Sequence, residues 1–151
     1  PGVGSNFAPL QGGLVQNVPG QFTNGLQGTG VASTTVYVST GWPTNLSGDW
    51  TISFWIDAPE PSGTRYIWGD FDAASFRCFA GGIAPTNGLV VRGTGWTDIQ
   101  IPDCLGSFGP SVVHVTYDDA TGETNAYVNG SLVNTVTQTP PVTFGGGITM
   151  V

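Results

Sequence analysis

Residue types that could run hydrolytic chemistry are scarce in this chain. Only two glutamates are present, Glu60 in Pro59-Glu60-Pro61-Ser62-Gly63 and Glu123 in Thr121-Gly122-Glu123-Thr124. Glycoside hydrolysis needs two carboxyl groups flanking the scissile bond, usually about 5–10 Å apart. Both glutamates occupy turn contexts, and neither has an acid two residues away. An aspartate pair could substitute, which keeps a glycoside hydrolase as a minor alternative. A serine or cysteine nucleophile would have to draw on the single histidine, His114, which falls in mid-strand, and no G-x-S-x-G elbow is present. A strand histidine bonded to a neighbour is the plainer reading. The chain is expected not to be an enzyme.

Calcium is a better candidate, because it takes hard oxygen ligands from loops. Asp70 and Asp72, in Gly69-Asp70-Phe71-Asp72, point to one side of a strand end, and Asp118 and Asp119 head the loop before Asn125. The competing reading is ordinary turn chemistry, in which an aspartate accepts local backbone N–H bonds. A bound ion at either place would make the melting temperature sensitive to EDTA. Zinc lacks a ligand set, with one histidine and two cysteines that are expected to be bridged.

Sugar recognition needs aromatic faces for pyranose C–H groups, with amides and carboxylates for the hydroxyls. Such groups alternate with apolar ones along several runs. Trp55 and Asp57 oppose Trp50, Ile52, Phe54 and Ile56, whereas Tyr66, Trp68 and Asp70 alternate with Ile67 and Phe71. His114 lies between Val113 and Val115, and Asn125 and Tyr127 alternate with Ala126 and Val128. If these runs share a sheet, one outer surface collects Trp55, Tyr66, Trp68, His114, Asn125 and Tyr127. A loop or the N-terminal arm covering that face would instead make the aromatics a second, minor core; both readings stay open. Trp42 and Trp96 lie in Gly-flanked loops and could rim a site, although a loop tryptophan more often pins its own loop.

The elements that must position these groups are strands. The 151 residues include 24 Gly and 11 Pro, a density of turn formers that leaves room only for short elements. Helical periodicity is nearly absent, and β-rich runs recur between Gly, Pro, Asn and Asp clusters. Strands are expected at residues 34–38, 49–57, 65–71, 75–80, 88–92, 97–101, 112–117, 123–128, 131–136, 142–144 and 148–151. Asn129-Gly130 between two apolar runs is a strong hairpin signal. Strands without helices and with two-faced alternation indicate an antiparallel sandwich. Residues 1–18 form an N-terminal arm or edge strand, and 19–151 the domain proper.

Charge excludes some partners. Ten acids, three arginines and no lysine give a net charge of −7, so the chain repels polyanions and nucleic acid is not expected. No apolar run approaches the ~18 residues of a membrane span. Cys78 and Cys104 leave none over if they pair, and such a bridge would stabilise by roughly 3–4 kcal/mol in the loop-entropy model. The alternative is two buried free thiols. The sequons Asn45-Leu46-Ser47 and Asn129-Gly130-Ser131 are compatible with secretion. The sequence opens at Pro1 with no apolar leader, as expected of a processed or trimmed chain.

Several motifs together resemble the laminin-G-like, concanavalin-A-like lectin/glucanase superfamily. They are Asp49-Trp50-Thr51-Ile52-Ser53-Phe54-Trp55-Ile56, Ile67-Trp68-Gly69-Asp70, His114-Val115-Thr116-Tyr117-Asp118 and Tyr127-Val128-Asn129-Gly130-Ser131-Leu132-Val133. Residues 19–26 are similar to that superfamily's opening segment, so the resemblance runs from about residue 19 to 151. It implies a jelly-roll β-sandwich, and a calcium site is frequent in such domains. Two features depart from the pattern. His114 falls on a small alternating position, so the family's histidine is not carried over. The closing strand normally found after the last hairpin is missing before Val151, and the sandwich is expected to lack it or to borrow it.

The resemblance implies an extracellular or cell-surface, non-catalytic module that binds carbohydrate or a surface protein ligand by aromatic stacking and hydroxyl hydrogen bonds. The rival from another class is a structural or adhesive subunit that meets other protein chains, or copies of itself, through its sheet edges. The absence of lysine and the unfilled edge favour that rival; the aromatic face favours the binder.

Overall fold

Alternation of apolar and polar side chains sets the faces of the strands, and the strands assemble as that pattern dictates. The computed structural model describes residues 10–12, 15–20, 23–28, 35–43, 46–70, 76–142 and 147–150. Among them are the strands β1 (Leu10–Gln11), β2 (Val15–Gly20), β3 (Thr23–Gln27), β4 (Tyr37–Pro43), β5 (Trp50–Ile56), β6 (Arg65–Asp70) and β7 (Phe76–Ala80). They continue with β8 (Leu89–Gly93), β9 (Ile99–Ile101), β10 (Ser111–Tyr117), β11 (Glu123–Val128), β12 (Ser131–Thr137) and β13 (Gly147–Met150). One sheet runs β1-β4-β13-β6-β7-β8-β9, a second runs β12-β11-β10-β5, and β2 pairs with β3. No helix among the described residues is long and apolar enough to cross a membrane. The architecture is an all-β antiparallel sandwich of jelly-roll type.

β10 shows the rule most cleanly. Ser111, Val113, Val115 and Tyr117 are buried while Val112, His114 and Thr116 between them are half-buried on the reverse side. Burying a valine fully is worth about 1.5–3 kcal/mol, so a one-residue slip of this strand would forfeit most of its stabilisation. β5 lies beside it in register, Phe54 opposite Val113 and Ile52 opposite Val115. Its Trp50 and Ile56 enter the core, with Ile52 and Phe54 packed against it. The facing sheet supplies Phe76, Cys78, Ala80, Leu89, Val91, Ile99 and Ile101.

Aromatic rings fill one end of this interior. The Trp50 and Trp96 rings stack at 5.6 Å, while Phe76 meets Trp50 edge-on at 5.7 Å and Tyr117 lies 5.7 Å from Trp50. Trp96 belongs to a loop, not a strand. The buried Gln138 amide holds that loop in place: Oε1 accepts the Thr97 N–H at 2.7 Å and Nε2 donates to the Thr97 carbonyl at 2.9 Å. A side chain thus replaces the two bonds of a β-bridge and satisfies backbone groups that would be costly to bury unpaired. Trp96 pins its own loop and does not rim a surface site.

The hairpin between β11 and β12 turns at Asn129 and Gly130, whose φ values of 52° and 82° match a turn with both central residues left-handed. Asn129 is also bonded to β10, since its N–H donates to the Val112 carbonyl and its Oδ1 accepts the Val112 N–H. The Asn134 side chain on β12 donates to the Gln100 carbonyl on β9 at 2.9 Å, which ties the two sheets at one margin.

Two expectations are corrected. Trp68 does not alternate outward with Tyr66. Between β6 and β7 the register shifts at Tyr66/Trp68, so Trp68 opposes Cys78 where regular pairing would put Ile67. A bulge of this kind inserts one residue and reverses the facing of those beyond it. Trp68 is therefore only 3% exposed and packs on Phe76 at 5.3 Å and on Phe54 at 6.1 Å. The disulfide is not formed: Cys78 and Cys104 are both buried free thiols. Each packs as a small apolar group in the core, and the Cys104 S–H donates to the Ile101 carbonyl at 3.5 Å. Burial pushes the Cys104 thiol up to about 11 and Cys78 well above the usual thiol range, which leaves both unreactive near neutral pH. The strand expected at 148–151 forms as β13. β13 sits inside the larger sheet, paired with β4 on one side and β6 on the other.

The bulge makes a sharp distinction between two tryptophans. Trp68→Ala is expected to cost about 3–5 kcal/mol in urea denaturation, the usual range for emptying an aromatic core site. Trp55→Ala, on the reverse face of β5, should lose clearly less.

Candidate functional site

Because Trp50 and Ile56 of β5 point inward, Thr51, Ser53 and Trp55 must point out. Cross-strand register then orders the outer face of the four-stranded sheet into rows. One row runs Thr51, Thr116, Asn125, Thr135; the next runs Ser53, His114, Tyr127, Leu132; Trp55 stands opposite Val112 in the last. Ser53, Glu123 and Thr135 are exposed, and Trp55, His114, Asn125 and Tyr127 are half-buried. Leu132 on β12 is 57% exposed.

Hydrogen bonds hold the polar members in fixed orientations. Ser53 Oγ and His114 Nδ1 are paired at 2.7 Å. Asn125 is held from both sides: its Nδ2 donates to Glu123 Oε1 at 2.6 Å and its Oδ1 accepts from the Thr135 hydroxyl at 2.5 Å. At this end of the sheet lies an open recess of about 510 Å³, lined by Asp49, Thr51, Thr116, Asp118, Glu123 and Asn125, with Trp50 and Tyr117 beneath. Asp49 Oδ1 accepts the Asp119 N–H at 2.8 Å, and Asp118 Oδ1 accepts the N–H groups of Ala120 and Thr121 at 2.9 Å each. No lysine or arginine stands on β5, β10, β11 or β12, so the recess is electrically negative. Carboxylate, amide and hydroxyl groups in this arrangement suit the hydroxyls of a neutral polar ligand.

The Asp118 carboxyl is held below the usual carboxylate range, first by the Thr121 backbone N–H, then by the Thr121 side chain and the Ala120 N–H. It is a permanent acceptor at neutral pH and poorly suited to act as a general acid. Asp119 Oδ1 accepts from the Tyr117 hydroxyl at 2.9 Å, and that hydroxyl accepts the Val142 N–H. Burial, with the bond donated to Asp119, pushes the Tyr117 phenol up.

Of the six residues expected to bind ligand, Trp55, His114, Asn125 and Tyr127 share this face. Tyr66 stands on the outer side of the other sheet, because β6 pairs with β7 and β13 and not with β5, and Trp68 is inside the core. The expected calcium positions divide. Asp72 and the Asp70 side chain lie outside the described residues. Asp118 and Asp119 accept protein N–H and O–H groups, and no group of three or more His, Cys, Asp or Glu able to hold a metal is found among the described residues. Asp49, Glu123, Ser53 and Thr116 were not anticipated as site residues. Their signal was parity, since Asp49 is two residues before Thr51 and Glu123 two before Asn125.

Among solved structures, the chain matches the binding domain of botulinum neurotoxin DC in complex with SialylT, with a TM-score of 0.58 and 15% sequence identity. The match covers 96% of this chain and 38% of that one. What the likeness shows is the fold. No family model matches the sequence, and no curated protein does.

The depressed Asp118 pKa has a consequence for stability. A carboxylate with a folded pKa below its unfolded value stabilises the protein at neutral pH, and that contribution fades as pH falls through the folded pKa. Asp118→Asn, which mimics the protonated form, should be less stable than the wild type above about pH 5. The gap should narrow as pH falls through and below the ordinary aspartate range. Urea denaturation of both proteins across this range checks the sign.

Proposed function

We propose that this chain is a non-catalytic, extracellular module that binds neutral carbohydrate on the outer face of its four-stranded sheet. The observation that carries the reading is the recess lined by Asp49, Glu123, Asn125 and Thr116, with Tyr127 one row further along the same face and Trp55 in the row beyond that. Aromatic rings cover the apolar C–H face of a pyranose, while fixed carboxylate and amide groups take its hydroxyls. Pre-organisation adds to this. Asn125 is already oriented by Glu123 and Thr135, so little side-chain freedom is lost on binding. Two likenesses support a binding role: the motifs shared with laminin-G-like domains, and the fold shared with a neurotoxin binding domain solved in complex with SialylT.

A glycan array followed by titration of the best neutral hit tests it. Trp55→Ala, Tyr127→Ala and Glu123→Gln should each weaken binding by roughly tenfold, about 1.4 kcal/mol, while melting stays near that of the wild type. Absence of any glycan signal, or a signal that none of the three variants alters, would overturn the proposal.

A further inference from the structure

The outer side of the seven-stranded sheet carries arginines where the four-stranded sheet carries none. The chain has no lysine, and its three arginines all stand on this sheet: Arg65 on β6, Arg77 on β7 and Arg92 on β8. Arg77 and Arg92 are direct cross-strand partners. They share the outer side, because Phe76, Cys78 and Val91 beside them are in the core. Two cations in this relation repel. Arg92 is relieved by Asp98 in a forked pair, with Nη2 to Oδ2 at 2.7 Å and Nε to Oδ1 at 2.9 Å.

Arg77 has no such relief. No carboxylate pairs with it among the described residues. Its guanidinium carbon lies 5.8 Å from the Phe79 ring centroid and 6.0 Å from that of Tyr66, and its Nε is buried with no acceptor. Cation–π contact returns about 0.5–2 kcal/mol, yet it leaves the N–H donors of the guanidinium without an anion. Phe79 is buried and forms a floor, while Tyr66 is 39% exposed and forms a rim. Opposite Arg77 stands Gly69, where an added Cβ would come within 2.9 Å of the Arg77 Cβ. No side chain can stand there, because Arg77 and the Phe76 carbonyl already fill that space and the two strands meet closely.

We propose that Arg77 and Tyr66 form a second binding site, for a saccharide that carries a carboxylate. The planar fork of an arginine matches a carboxylate through two parallel hydrogen bonds. The exposed Tyr66 ring offers its face to the sugar that bears the acid, and the buried Phe79 holds the guanidinium in place from below. The ligand is distinct from that of the four-stranded sheet, whose recess presents Asp49, Asp118 and Glu123 and repels an anion. The two sites therefore select sugars of different charge on opposite faces of one sandwich.

The test is titration of the isotope-labelled protein with glucuronate and with methyl glucoside, its neutral counterpart, followed by amide NMR spectra at low salt. Glucuronate should shift the amides of Tyr66, Arg77 and Phe79 saturably, and methyl glucoside should leave them in place. Arg77→Gln should weaken glucuronate binding at least tenfold, and Arg77→Lys, which keeps the charge and loses the fork, should weaken it severalfold. Tyr66→Ala probes the same site from the exposed rim if Arg77→Gln does not fold. Trp55→Ala should have no effect on these shifts, which separates this site from the one on the other face. The proposal is overturned if glucuronate leaves the three amides unmoved, or if methyl glucoside moves them equally. A tri-glutamate peptide that shifts them where glucuronate does not would also refute it.

Discussion

The inward placement of Trp50 is the constraint on which the rest of the molecule depends. Its ring meets Trp96, Phe76 and Tyr117, so three separate segments converge on one side chain. With Trp50 fixed inward, the two-residue period of β5 leaves Thr51, Ser53 and Trp55 on the far side. The ladder to β10 and β11 then sets His114, Asn125 and Tyr127 beside them. The interior packing and the exterior chemistry are two readings of one register. A shift of a single residue would exchange them.

Charge is distributed between the sheets as sharply as polarity is between their faces. The four-stranded sheet carries Glu123 as the sole full charge in its strands, while acids at its loop ends face the recess. All three cations lie on the opposite sheet.

What could be read from the sequence followed from regular alternation. Residues 111–117 and 123–128 show a strict period of two, and their inner and outer faces follow from it directly. The Asn129-Gly130 turn was equally legible, because left-handed backbone at two successive positions restricts the residues that can occupy them. Trp68 was not legible. The bulge that turns it inward depends on how β6 curves against β7, and nothing in Tyr66-Ile67-Trp68 marks an inserted residue. Trp96 was obscured by its flanking glycines, which read as loop, while the bonds that fold that loop into the core come from Gln138, forty-one positions away. The cysteines misled for a related reason: an even count describes pairing stoichiometry and says nothing of whether the thiols already have a place in the core. Asp49 and Glu123 stood at the first positions of strands expected from pattern, where the parity that sets them beside Thr51 and Asn125 was not followed to the strand end.

The position of β13 bears on how the chain assembles. It comes last of the described strands in the chain, yet it lies between β4 and β6, so β1 and β4 join the remainder of their sheet only through it. Until β13 arrives, the margins of β4 and β6 that it will join stand without partners, and each is a template for a foreign strand. Such non-local pairing raises contact order and slows the search for the native state. The runs β6 to β9 and β10 to β12 can pair with neighbours in sequence, whereas β13 must find β4 and β6 at long range, which makes its docking the step that divides folding from aggregation.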